Sequence, residues 1–197
     1  MWEGRTVAIL ASGPSMSQGV ADAVAHLPRI AINTTYRLAP DADILYACDP
    51  AWWQAHPEAA SVRGIKLALE HVPGKRMPVP DGVLFMRNTG RRGFDPNPGC
   101  LRTGDNSGAQ ALQVAVHAHA ARVLLLGFDM KGGNWHGRHP AGLAQSDPAK
   151  CRKFVTAFRS LAVELARQPV EILNCTPGSA LDCFPRARLD DVLKVAA

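Results

Sequence analysis

No apolar run in this chain approaches the roughly 20 residues that cross a bilayer. The stretch Met1-Trp2-Glu3-Gly4-Arg5 leads straight into a strand and has no signal-peptide pattern, so a cytoplasmic location is expected. The five cysteines, Cys48, Cys100, Cys151, Cys175 and Cys183, are scattered, odd in number and without a Cys-x-x-Cys pair. That argues against a disulfide framework and against a cysteine zinc site. There is no GxGxxG fingerprint, and no Gly-Lys-Ser/Thr follows the first turn, which excludes a P-loop. Aromatic residues make up only 6% of the chain. No aromatic stacking platform is interleaved with the arginine groups Arg87, Arg91, Arg92, Arg102 and Arg186, Arg188, so the net charge of +5 does not by itself point to nucleic acid. A small phosphorylated ligand or a solvated surface suits those charges better.

What the chain does have is an alternation of strands and helices. Thr6-Val7-Ala8-Ile9-Leu10 reads as a buried parallel strand. It runs into Ala11-Ser12-Gly13-Pro14-Ser15, a turn of small residues, with a helix expected from about Ser17. Further strands are expected at 29–33, 43–48, 65–69, 82–86, 122–126 and 170–174. Trp52 and Trp53 open a short helical stretch; one can stack on a ring, the other belongs in the core. Asn106 or Ser107 can cap an alanine-rich helix reaching about Ala120, and an amphipathic helix fits 148–167. Leu189 to Val195 closes the chain with a short helix. The stretch 88–105, rich in glycine and proline, reads as a long irregular loop, as does 131–147.

This alternation predicts an α/β domain with a mostly parallel sheet flanked by helices. At 197 residues, with no repeat and no linker, a single domain over 1–197 is expected. In such folds ligands sit at the carboxyl ends of the strands. Polar residues gather at those ends: Ser12 and Ser15, Asn33 and Thr34, Asp49, Asp129, Asn174 and Thr176, with Asn106-Ser107-Gly108 at a helix start on the same rim. Backbone N–H groups at a strand-to-helix junction suit a phosphate or carboxylate.

The order of these motifs resembles a known superfamily. Gly13-Pro14-Ser15 follows the first strand, Asn33 the second, and Ser107-Gly108 opens the alanine-rich helix. Gly127-Phe128-Asp129 ends a later strand with histidines in the loop behind it, and Asn174-Cys175-Thr176-Pro177-Gly178-Ser179-Ala180-Leu181 closes the series. The pattern is similar to the Rossmann-like superfamily of family-42 bacterial sialyltransferases and the domain-of-unknown-function 115 proteins, which include a hydroxymethylpterin pyrophosphokinase. Short phage or prophage proteins carry it too.

The resemblance implies a Rossmann-like fold. It implies that Ser12, Gly13, Pro14, Ser15 and Asn33 contact a nucleotide, cytidine being favoured. Asn106, Ser107 and Gly108 would lie beside the donor sugar and phosphate, and Thr176, Pro177 and Ser179 would border the nucleotide. His136 or His139 would be the base for an acceptor hydroxyl. Two departures stand out: Ser12 occupies a position where those transferases carry asparagine, and the only tyrosines, Tyr36 and Tyr46, lie too early to bind the donor phosphate.

The residues themselves leave alternatives open. A neutral imidazole at His136 or His139 can take a proton, and Arg138 can neutralise a leaving phosphate; equally, these can be solvent-exposed loop residues. Asp49 and Asp129 can hold Mg²⁺ against ATP phosphates, hydrogen-bond a ribose, or cap a turn. Asn33 and Asn174 can read a base edge or satisfy backbone groups. No dedicated metal site is expected. His117 and His119 read as surface or helix-end residues. Three readings follow: a sialyltransferase-like glycosyl transfer from a nucleotide sugar, an Mg/ATP-dependent pterin-type pyrophosphokinase, and a non-catalytic phage-encoded nucleotide-binding or accessory protein. The expected partner is a small nucleotide ligand, the acceptor is open, and a homo-oligomer is compatible with the chain.

Overall fold

The computed structural model describes residues 1–195. Eight strands form one sheet: β1 (Thr6–Leu10), β2 (Arg29–Ile32), β3 (Ile44–Tyr46), β4 (Ile65–Leu69), β5 (Val83–Asn88), β6 (Cys100–Leu101), β7 (Arg122–Leu126) and β8 (Glu171–Asn174). Their spatial order is β6-β5-β4-β3-β2-β1-β7-β8. Every neighbouring pair is parallel, with Leu10 opposite Leu126 in β7 and Ala31 in β2. The expected α/β class stands, with a sheet that is wholly parallel.

A parallel sheet is covered on both faces, and alternate residues of each strand serve alternate faces. Val7, Ile9, Ile30, Ile32, Val123 and Leu125 pack beneath α3 (Ser107–His117) and α4 (Pro148–Leu165). Ala8, Leu10, Ala31, Leu45, Leu124 and Leu126 pack on the other face, with α1 (Gln18–Ala23), α2 (Pro50–Ala55) and α5 (Leu189–Val195). Ser17 caps α1 by accepting from the Val20 N–H, and Asp49 caps α2 through Ala51. No described helix is long and apolar enough to cross a membrane.

The chain builds the sheet outward from β1 to β6. Helix α3, packed over β1 and β2, then carries it back to β7 on the other side of β1. Small buried residues, Gly108, Ala109, Ala111 and Ala115, let this helix lie close to the strands. The order in which strands are added therefore reverses between β1 and β7, and a crevice opens at the carboxyl ends there.

Three local expectations are corrected. Strand β6 lies inside the stretch read as irregular: only two residues long and flanked by Gly99 and a polar turn, it offers no periodicity. Asn33–Arg37 forms a 3-10 helix directly after β2. Trp52 and Trp53 are both buried, edge to face with centroids 5.2 Å apart. His117 stands at the end of α3, as one of its two readings had it, half-buried and stacked 5.0 Å from Phe94 with Nε2 3.0 Å from the Cys100 carbonyl.

Candidate active site

A cavity of about 220 Å³ occupies the crevice. The turn after β1 forms one wall with Ser12, Gly13 and Pro14, and Gly127 to Met130 after β7 form another. Asn33, Asp49 and the first residues of α3, Asn106 to Gly108, close it from the β2 and β3 side. The loop 131–147 and the start of α4 lie across it.

The two turns at its base are locked together. The Gly13 N–H donates to the Gly127 carbonyl (2.9 Å). Ser15 donates to the Asp129 carboxylate from both its backbone N–H (3.2 Å) and its hydroxyl (2.8 Å). A Cβ at position 13 would overlap the Asp129 carboxylate and the Gly127 carbonyl, so the close approach itself demands glycine. Behind them, Thr176 Oγ1 accepts from the Phe128 N–H (2.9 Å) and Ser179 Oγ donates to the Phe128 carbonyl (2.5 Å). Asn174 in turn holds Thr176 and Leu181.

These bonds engage four of the residues expected at the ligand. Ser15, Asn174, Thr176 and Ser179 do not line the cavity, and their hydrogen bonds go to the protein itself. Exposed Pro177 lies outside it too. They aim Phe128 and Asp129 rather than face the cavity, because strand ends carry backbone groups that must find partners.

Ser12, Gly13, Pro14, Asn33, Asp49, Asn106, Ser107, Gly108, Asp129 and His139 do line it. Ser12 is tied to Ile32 and Thr35 by its hydroxyl (3.3 and 3.2 Å), whereas the Asn33 amide makes no side-chain hydrogen bond among the described residues. The Asn106 side chain accepts from Ala109 N–H (2.8 Å) and caps α3, which leaves the first-turn N–H groups of Ser107 and Gly108 without intrahelical acceptors. Those dipoles favour an anion. Of the four non-glycine residues held at positive φ among the described residues, three, Asn33 (49°), Asp105 (54°) and Met130 (54°), border this one cavity, and the fourth, His119 (63°), does not. Backbone strain of this kind concentrates at binding sites.

Sequence reasoning missed Cys48, Asp105, Lys150 and Phe154 in the lining. Cys48 lies 3.2 Å from the Ser107 hydroxyl that donates to its sulfur, and burial raises its pKa, so it stays a thiol. Lys150, in the first turn of α4, rests 5.8 Å from the Phe154 ring and forms no ion pair among the described residues. Only its place opposite the first residues of α3 marks it, and no pattern in the sequence carries that.

The loop 131–147 is moored by Trp135, whose N–H donates to the Ser12 carbonyl (3.0 Å) and whose Nε1–H donates to Thr35 Oγ1 (3.2 Å). Its two histidines part company. His139 borders the main cavity, while His136 and Arg138 face an adjoining one that His139 also borders. Burial, reinforced by His139, pushes the His136 pKa down to about 4; burial and then His56 lower that of His139. Both imidazoles are neutral at pH 7.

No family model and no curated protein matches the chain. Among solved structures it is similar to the MAf glycosyltransferase from Magnetospirillum magneticum AMB-1, with a TM-score of 0.61 and 14% sequence identity. The likeness covers 99% of this chain and 36% of that one, so the chain spans well under half of its neighbour's length. At this identity what is shared is the fold: a Rossmann-like parallel sheet that also serves a glycosyltransferase.

Proposed function

We propose that the chain is a nucleotide-dependent transferase domain of glycosyltransferase type, taking a nucleotide sugar, of cytidine type by the sequence resemblance. The observation that carries this is the meeting, in one cavity at the reversal point of a parallel sheet, of the Ser12–Pro14 turn, the unpartnered N–H groups opening α3, and Lys150. The base of the nucleotide would lie by Asn33, whose amide is free to pair. The donor phosphate would meet Ser107, Gly108 and Lys150.

His139 serves as base in this reading, since it borders the donor cavity and is neutral. It takes the proton of the acceptor hydroxyl as that oxygen attacks the anomeric carbon. The bond from that carbon to the donor phosphate breaks, and the phosphate leaves with the electron pair. The α3 N–H groups and Lys150 stabilise the charge that develops on it.

A pyrophosphokinase using Mg²⁺ and ATP is the second reading, because Asp49, Asp105 and Asp129 border the same cavity. It ranks lower because all three are already engaged: Asp49 caps α2, Asp105 pairs with Arg91, and Asp129 is held by Ser15. Among the described residues no trio of His, Cys, Asp and Glu is placed to hold a cation.

Thermal-shift measurements with CMP, CDP, UDP, GDP, ADP and ATP, each with and without Mg²⁺, test the proposal, since a ligand of the folded state raises its apparent stability. A metal-independent shift with a cytidine nucleotide is expected. A shift seen only with ATP and Mg²⁺ would transfer the assignment to the pyrophosphokinase, and no shift at all to a non-catalytic accessory protein.

A further inference from the structure

Beside the donor cavity lies a second one, bordered by Thr34, Arg37, His56, His136, Arg138 and His139. Its chemistry is unusual for a protein surface. Three imidazoles border it, and each has a buried ring nitrogen with no hydrogen-bond partner: Nε2 of His56, Nε2 of His136 and Nδ1 of His139. The His56 side chain is 6% exposed. A buried polar atom without a partner costs about 1–3 kcal/mol, and three on one cavity call for an explanation.

Two arginines stand over the same space. Arg37 is shared with Glu58 (2.7 Å), the only carboxylate bordering the cavity among the described residues. Arg138 has no ion pair among them and is exposed. Glu58 is itself occupied: Arg37 and the Tyr36 hydroxyl hold its pKa down at about 2, and its Oε1 accepts from His56 Nδ1 at 3.4 Å. In the tautomer that gives Nδ1–H to Glu58, the lone pair of His56 lies on Nε2, the buried nitrogen without a partner.

We propose that this second cavity is an oxyanion subsite, binding a phosphate or carboxylate group together with a proton taken up by the histidine cluster, and that it selects an acceptor bearing such a group. The subsite follows from the arginines and the orphaned nitrogens. The assignment to the acceptor rests on the donor reading of the adjoining cavity, with His139 as the residue common to both. A metal ion fits less well. Two guanidinium groups border the cavity, and no trio among the described residues is spaced for coordination.

The proton balance makes the subsite distinctive. Without a ligand the three rings repel one another's charge, and burial opposes protonation of His136 and His139. An oxyanion supplies the counter-charge, so each one bound draws a proton from solvent. Lys150 and Arg37 oppose that protonation and Asp49 favours it, but all three are there with or without ligand.

The test is calorimetric titration of the whole chain with inorganic phosphate, and separately with acetate, in two buffers of different ionisation enthalpy. Saturable binding with proton uptake near pH 6 is expected, weaker by about tenfold or more at pH 8. Whichever anion binds more tightly names the acceptor group. Arg138→Gln, an exposed change that leaves the fold intact, should weaken binding about tenfold. Carbon-13 shifts of the imidazoles should report protonation of His136 on binding, with His139 left neutral to act as base. Binding indifferent to Arg138→Gln would put the anion elsewhere, and absence of proton uptake or of saturable binding would equally overturn the subsite. Cytidine shifts without phosphate binding at Arg138 would sink this inference and spare the donor reading; the reverse result would keep the subsite and sink the donor reading.

Discussion

Ser15 grips the carboxylate of Asp129 across 114 positions of sequence, with a backbone N–H at 3.2 Å and a hydroxyl at 2.8 Å. That grip joins the turn after β1 to the turn after β7 at the point where the strand order reverses, and it can form only because nothing projects from Gly13.

Gly13→Ala should therefore destabilise the protein by about 1–3 kcal/mol, since its methyl would displace the Asp129 carboxylate or the Gly127 backbone. Gly19→Ala provides the opposite case. Gly19 lies in α1 with ordinary φ and only the Ser17 hydroxyl nearby, at 4.0 Å, so alanine should stabilise by about 0.5–1 kcal/mol through helix propensity. Urea midpoints of the two variants check this. If both shift the same way, the contact between the two turns is not what requires Gly13.

The loop over the cavity has its own anchor. Trp135→Ala removes the indole N–H donated to Thr35 and the apolar packing of the ring against the face that holds α1 and α2. The loop should then open, with hydrogen exchange and limited proteolysis within 131–147 accelerating by about tenfold or more while the strands keep their protection. Trp135→Phe, which keeps most of the packing and loses only the hydrogen bond, should fall between. Equal protease resistance in wild type and Trp135→Ala would mean the loop is held by other contacts.

Much of this arrangement was legible in the sequence. The strands rich in Val, Ile and Leu, the turn Ser12-Gly13-Pro14 and the Asn106 cap announce themselves because hydrophobic runs and cap residues are local signals. Two things were not. Polar residues at strand ends look alike whether they await a ligand or tie down their own backbone, so Asn33, with a free amide, could not be told from Asn174, whose amide holds Thr176 and Leu181. Lys150 joins the site by the fold alone, through α4 crossing toward the start of α3. His136 and His139 are three residues apart, yet Gly137 at φ 83° breaks any helical spacing; both rings border the adjoining cavity, and His139 alone reaches the main one as well.

The histidine cluster also sets a dependence on acid. The His136 pKa lies at about 4 in the folded protein, against about 6.5 in an unfolded chain. Between those values the unfolded state binds more protons, so stability is fully present above pH 6.5 and is lost as pH falls toward 4. His139 and His117 are displaced in the same direction and add to the loss. For His136, partly exposed, the contribution is on the order of 1–2 kcal/mol. Glu58, held low by Arg37, contributes only in a lower window, from about pH 4.5 down to 2, and little for an exposed pair. Urea unfolding at pH 7.5, 6.0 and 4.8 should show stability falling through this range, and His136→Gln, which cannot take the proton, should fall less. Added phosphate should offset part of the loss in the wild type, because the anion stabilises the protonated rings; a His136→Gln profile as steep as wild type would place the titrating group elsewhere.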